Sequence, residues 1–327
     1  MSIQSNFNES YQYPPINLLR RNVVTTNTEY VEALKKQIIP LGNILCSQQF
    51  QESTMQLPCA IGQTPQNEAF MFDLAQANHV IVAGASGQGK TACLNAMICS
   101  LLYKRTPAEL KFVLMDPKDC GYDIYDPLKY HFLAELSNEE GTIFTEPEHC
   151  LRVMHSLESL MDLRYEKLKE TNVKNIVEYK QKFPNLAMPY IVIVIDEFGD
   201  LISALGKDFI FQLTHLAELG HRVGMHLVIS TQHLTYNIIS GRIRANFPAR
   251  IALKVADCAE SRTILDYYDG AQNLIGKGDM LASINSSEPI RLLGAFVENN
   301  EIMDVVSYIA KQKNYENHYE LPAIDNL

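Results

Sequence analysis

Residues 79–91 read HVIVAGASGQGKT. The apolar run 79–83 stops at Gly84, three glycines (Gly84, Gly87 and Gly89) open a loop, and Lys90-Thr91 lead into the helix-like stretch ACLNAMICSLLYK. Strand, glycine loop and helix in that order, spaced G-x-x-x-x-G-K-T, make a P-loop. Backbone N–H groups can surround phosphate oxygens only where side chains stay away, and the helix N-terminus adds favourable partial charge. The spacing predicts that Gly84, Ala85, Ser86, Gly87, Gln88 and Gly89 wrap the phosphates of ATP. Lys90 would then reach the β and γ phosphates, and the Thr91 hydroxyl would ligate Mg²⁺.

Two more apolar runs extend this reading. Residues 111–115 (KFVLM) end in Asp116-Pro117-Lys118, and Tyr190–Ile195 (YIVIVI) delivers Asp196-Glu197. Runs of this kind fit parallel strands buried on both faces, whose C-terminal ends are where ligands collect. An acidic pair ending a strand about a hundred residues past a P-loop lysine fits a Walker B strand. Asp196 would hold Mg²⁺ through water, and Glu197 would orient the attacking water. The intervening run 111–115 points to the RecA-like branch of P-loop NTPase folds, in which Gln232, at the tip of the strand MHLVIS, senses the γ phosphate. The expected fold is α/β, with a mainly parallel central sheet flanked by helices.

Composition bounds the remaining possibilities. At 327 residues, 46% of them apolar, the chain can bury a sizeable core without staples. No run approaches the roughly 18 apolar residues of a membrane span, and MSIQSNFNES lacks the basic and apolar regions of a secretory signal. Seven cysteines, odd in number and never in C-x-x-C spacing, argue against a disulfide framework and against a zinc site. The expected compartment is therefore the cytoplasm. His131, His149, His155, His215, His221 and His226 never fall into a ligand spacing such as H-E-x-x-H. A formal charge of −10 disfavours a general nucleic-acid coat but leaves room for a local basic loop.

Residues 1–56 read as an N-terminal extension: a polar, mobile tail over 1–15 and a short amphipathic helix over 28–39, stopped by Pro40. The ATPase unit is expected over 57–327, opening with a hairpin whose turn lies near 64–67. Residues 146–182 and 209–221 carry helical spacing, RIALKV gives a further strand, GDMLASI and IRLLGAF form a second hairpin, and a helix over 301–311 follows.

Taken in order, the P-loop, DPK, LRYEKLKETNVKNIVEYKQKF, YIVIVIDEFGDL, GMHLVISTQ, NIISGRIRANFPARIAL, SRTILD and LIGKGDML resemble the motor domain of the FtsK/SpoIIIE family of DNA-translocating ATPases. The likeness runs from about residue 57 to 306. It implies a homo-oligomeric ring, a hexamer in that family, which hydrolyses ATP at subunit interfaces and draws double-stranded DNA through its pore. On the matching positions it implies a nucleotide-sensing role for Gln232, a place in the neighbouring subunit's site for Arg250 and Arg262, and a pore-facing, DNA-binding loop carrying Arg242 and Arg244. An ordinary salt bridge is the other reading of Arg250 and Arg262, and solvation of a helix start that of Arg242 and Arg244.

The chain also departs from the family. The family's A-T-Q-R-P reads STQHL here, with His233 and Leu234 at the last two places, and two family arginine positions hold His215 and His221. DPK continues as DCGY, and the region ahead of the core is short. The membrane helices and winged helix of full-length members are not expected. Three functions stay open: a DNA translocase, a protein-transport ring ATPase of the secretion or conjugative-coupling kind, and a weakly hydrolysing nucleotide-binding regulator.

Overall fold

The computed structural model describes residues 11–20, 39–137, 141–184, 186, 188–312 and 318–323. In chain order the strands are β1 (Ile39–Pro40), β2 (Pro58–Gln63), β3 (Ala69–Asp73), β4 (Val80–Ala83), β5 (Leu110–Met115), β6 (Ala134–Leu136), β7 (Ile143–Phe144), β8 (Tyr190–Ile195), β9 (Met225–Thr231), β10 (Ala249–Leu253), β11 (Asp279–Ser283), β12 (Ile290–Phe296) and β13 (Tyr319–Leu321). Eleven form one sheet in the order β3-β2-β12-β11-β10-β4-β9-β8-β5-β7, with β1 beside β12; β6 and β13 pair separately. From β10 to β7 every pairing is parallel, and from β10 out to β3 every pairing is antiparallel. The expected α/β, RecA-like architecture is therefore present, with an antiparallel wing on one side of the parallel core.

Burial explains the order. Every residue of β4, β5, β8 and β9 is buried, as strands covered on both faces must be. One cover is the helix Lys90–Leu102, which lies over β2, β12, β4 and β9. Its residues are buried almost throughout, so its apolar positions run around the helix and not along one stripe. On another part of the fold the long helix Pro147–Glu170 packs against Lys207–Leu219. The hairpin expected near 64–67 is present: Asn67, at φ 62°, donates its N–H to the Thr64 carbonyl at 2.9 Å. The second hairpin is β11–β12. Among the described residues no helix is long and apolar enough to cross a membrane.

Some elements differ from the reading of the sequence. The helix expected over 28–39 lies outside the described residues except for Ile39, which is strand: Ile39 and Pro40 run parallel to β12. Of the tail expected over 1–15, the described part, 11–15, is tied down. The Gln12 N–H donates to Gln312 Oε1 at 3.0 Å, the Gln312 side chain donates back to the Gln12 carbonyl at 2.8 Å, and Tyr11 meets Phe132 edge to face. A helix over Phe198–Leu205, directly after β8, has no counterpart in the sequence reading.

At the opposite ends of these strands from the glycine loop three imidazoles gather. His79 leads into β4 and stands 6.2 Å from His226 of β9 and 6.1 Å from His221, ring centre to ring centre. His79 Nδ1 accepts the Leu227 N–H at 2.9 Å, and His226 Nδ1 donates to the Asn78 carbonyl at 2.7 Å. Burial holds His79 well below the usual imidazole range and takes His226 down to about 4. Both are thus neutral in the fold, and below about pH 6.5 the unfolded chain binds more protons than the native one. Stability should fall as pH drops from about 6.5 toward 4, by roughly 1.4 kcal/mol per pH unit for each such histidine. Urea midpoints across that range check this; His226→Gln should flatten the slope, and an unchanged slope would remove His226 from the account.

Candidate nucleotide site

The strand order brings three strand tips together. β9 lies between β4 and β8, so the glycine loop, the Thr231-Gln232 tip and the Asp196-Glu197 tip converge at one edge of the sheet. Gly84 packs so closely on β10 that a Cβ there would lie 2.7 Å from Leu253 Cβ. Its N–H donates to the Thr231 carbonyl at 3.2 Å, and the Ala85 N–H to the Lys254 carbonyl at 3.0 Å, which pins the loop between β9 and β10. Gly89 turns into the helix at φ 110°, a conformation that L side chains rarely adopt. Ser86 and Gln88 complete the loop, and Gln88 is clasped from outside: its carbonyl accepts the Gly278 N–H at 2.9 Å and its Oε1 the Lys277 N–H at 3.2 Å.

Lys90 is buried. Its ammonium donates to the Gly84 carbonyl at 3.2 Å and lies 3.1 Å from Glu197 Oε1. Thr91 Oγ1 donates to Asp196 Oδ2 at 2.8 Å, and the Ser230 hydroxyl of β9 donates to Asp196 Oδ1. Burial raises the Asp196 carboxyl above the usual carboxylate range, the hydrogen bonds from Ser230 and Thr91 acting the other way. Glu197 adopts φ 56°, unusual for a non-glycine residue and typical of constrained functional positions. Its N–H bonds the Ser230 hydroxyl at 3.1 Å, and its Oε2 accepts the Gln232 N–H at 3.0 Å. One strand over, Asp116 is buried, and its Oδ1 has no hydrogen-bond partner among the described residues.

These groups fit a magnesium nucleotide chemically. The helix Lys90–Leu102 aims its N-terminus at the loop, and a buried ammonium stands beside it. Thr91, Asp196 and the unpartnered Asp116 oxygen make a set of hard oxygen donors, the kind that Mg²⁺ takes.

The arginines make their contacts in another cluster. Arg250, only 12% exposed in its side chain, is held within its own chain by Asp266 and by the carbonyls of Phe247 (3.0 Å) and Arg244 (2.9 Å). Arg244 lies 3.3 Å from Asp266 and over the Tyr236 ring. Arg242 is exposed and pairs with Glu218 at 2.9 Å. Arg262, also exposed, grips Asp269 with two bonds of 2.6 and 2.5 Å. Arg244 and Arg262 line a surface cavity of about 290 Å³ with Asp266 and Tyr267, the latter 98% exposed.

Reasoning from the sequence missed Ser230, Lys118 and Asp200. Ser230 was hidden inside a strand. Lys118 had a signal, since it ends DPK, whereas Asp200 lies in a helix that the sequence reading lacked.

A glycine cradle closed by a buried lysine, beside a strand that ends in two acids, defines a P-loop ATPase fold. The profile of the FtsK/SpoIIIE family matches residues 40–236, and the chain belongs to that family. It is 39% identical over 280 residues to a DNA translocase FtsK of Chlorobaculum tepidum, covering 85% of this chain and 35% of that protein. With a DNA translocase FtsK of Clostridium tetani the identity is 35% over 304 residues, covering 91% and 40% respectively. The chain thus spans well under half of these relatives' length. In fold it is similar to the conjugation coupling protein TcpA of pCW3, solved with ATPγS, with a TM-score of 0.65 at 23% identity over 77% of this chain and 69% of that one. It is similar also to the type VII secretion ATPase EccC of Thermomonospora curvata, with a TM-score of 0.69 at 22% identity over 93% and 36%.

Proposed function

We propose that the chain is the ATP-hydrolysing motor of a ring-forming DNA translocase. The observation that carries this reading is the convergence of Lys90, Thr91, Asp196, Glu197 and the Gln232 tip at one sheet edge, in a chain whose relatives are named DNA translocases. Gly84 to Gly89 would wrap the phosphates of ATP, Lys90 would neutralise them, and Thr91 and Asp196 would hold Mg²⁺. The bound Mg²⁺ supplies charge stabilisation for the transferring phosphoryl group. Glu197 orients water, and Gln232 senses the γ phosphate. Residues 57–327 make the body of the ATPase unit, and of the extension 1–56 the segment Ile39–Pro40 joins its sheet. The ring is homo-oligomeric, six subunits by family likeness, and seven free cysteines suit a reducing cytoplasm.

For the DNA grip we assign Arg242 the larger part, because it is exposed, whereas Arg244 is already enclosed by Asp266 and Tyr236. Screening confines surface charges to roughly 8 Å at physiological salt, so a local arginine can outweigh the distant net charge. The test is the ATPase rate with and without long duplex DNA at stated salt. DNA should stimulate turnover, duplex binding should fall steeply with salt, and Arg242→Ala should reduce the salt slope by about one unit.

One observation favours a second reading, a protein-transport motor: both pore-loop arginines are already paired with acids of their own chain. Duplex binding undetectable even at about 50 mM salt, where phosphate contacts are much stronger than at physiological salt, would put that reading first. Nucleotide binding with negligible turnover, with or without DNA, would mark a regulator.

A further inference from the structure

Around Glu197 stands a network that the proposed hydrolysis does not use. Lys118, just past the end of β5, places its ammonium 2.8 Å from Asp200 Oδ2 and 4.0 Å from Glu197 Oε2. The other Asp200 oxygen lies 2.8 Å from His233 Nε2. The His233 N–H donates to Thr231 Oγ1 at 2.9 Å, at the tip of β9, and the preceding N–H, from Gln232, goes to Glu197. Glu197 thus stands between two lysines, Lys90 on one oxygen and Lys118 near the other. Resting on the ATPase reading above, we propose that Lys118 is a second phosphate-binding cation that distinguishes nucleoside triphosphate from diphosphate by leaving Asp200 for the γ phosphate, and that Asp200 and His233 pass this exchange to the tip of β9.

Three physical points carry the assignment. Lys118 is about one-third exposed on a long, flexible stem, so its ammonium can swing while Lys90, buried and tied to the Gly84 carbonyl, stays with the loop. A γ phosphate offers more negative charge and more acceptor oxygens than the single carboxylate of Asp200 and so competes for the ammonium. Asp200 is not left unpaired by the exchange, because it keeps His233. His233 is one of the positions where the chain departs from its family, and here it joins a strand tip to a carboxylate that a β8-side residue supplies. Glu197, Asp200 and His233 hold their polar atoms within 4.8 Å of one another, and the ammonium lies against the first two.

The test measures affinities of the full chain for fluorescent ATPγS and ADP in Mg²⁺, together with melting temperature. Lys118→Met should weaken ATPγS by about tenfold and ADP by less than about twofold. Lys118→Arg should restore most of the difference, and Asp200→Asn, which removes the competing charge, should move the triphosphate preference the other way. Equal losses for both nucleotides, no loss for either, or a fall in preference for Asp200→Asn matching that of Lys118→Met would overturn the proposal while leaving the ATPase reading intact. ADP binding that is absent in the wild type, or indifferent to Lys90→Ala, would overturn the ATPase reading and the Lys118 assignment together.

Discussion

Lys90→Ala is expected to abolish measurable ATP binding or turnover, whereas Glu197→Gln should bind ATP near normally and lose about a hundredfold or more in kcat. The two differ because the ammonium and the carboxylate meet the nucleotide at different stages. Removing Lys90 takes away the charge that makes the cradle attractive to phosphate, and it leaves Glu197 buried without its 3.1 Å partner, a costly arrangement. The amide introduced by Glu197→Gln would keep the size of the side chain and an acceptor for the Gln232 N–H but lose the charge that polarises water. In wild type a phosphate must compete with Glu197 for Lys90; in Glu197→Gln it does not, so ATP affinity should hold or rise. Equilibrium binding and steady-state turnover on both variants, with melting temperatures to exclude misfolding, decide the matter. Wild-type turnover in Glu197→Gln would move the catalytic role to another residue.

What could be read in the sequence was whatever physics fixes locally. A loop that needs left-handed backbone at Gly87 and Gly89 and no Cβ at Gly84 can be recognised from spacing alone. A strand buried on both faces reads as YIVIVI, and the charge at its end has to have a purpose. The helix Phe198–Leu205 escaped notice because no loop or side-chain cap announces it: the chain turns straight from strand into helix at Glu197, through a left-handed φ. Ile39 fitted a helical spacing, yet pairing with β12 decided its conformation. Arg250 illustrates the limit more sharply. Its neighbours spell a family motif, while its partner Asp266 stands sixteen positions away, and only the fold reveals that this arginine is held by its own chain. The network of Lys118, Asp200 and His233 has the same origin. It arises where the tips of β5, β8 and β9 converge, which is a product of strand order and not of spacing.

The second large effect concerns Arg262, and the two candidate arginines should now behave differently. Arg250→Ala should act mainly on stability, on the order of 1–3 kcal/mol, because the Phe247 and Arg244 carbonyls and Asp266 lose their partner. Arg262 holds only Asp269, at the surface, on the rim of the cavity shared with Arg244 and Tyr267. Its guanidinium can therefore leave for a phosphate on an adjoining subunit without exposing buried groups. If it completes a neighbour's site, Arg262→Ala should lower turnover by about a thousandfold while ATP affinity and melting temperature stay close to wild type. Mixing supplies the decisive comparison. In rings formed from equal amounts of Arg262→Ala and Lys90→Ala protein, a site works when an intact glycine loop faces an intact arginine. Random assembly gives that at about one interface in four, so about a quarter of wild-type turnover should return. Arg250→Ala mixed in the same way should return no more than its own residual activity. Mixed rings that demonstrably form and yet recover nothing with Arg262→Ala would confine this arginine to its salt bridge with Asp269 and leave the neighbour's contribution to some other residue of that surface.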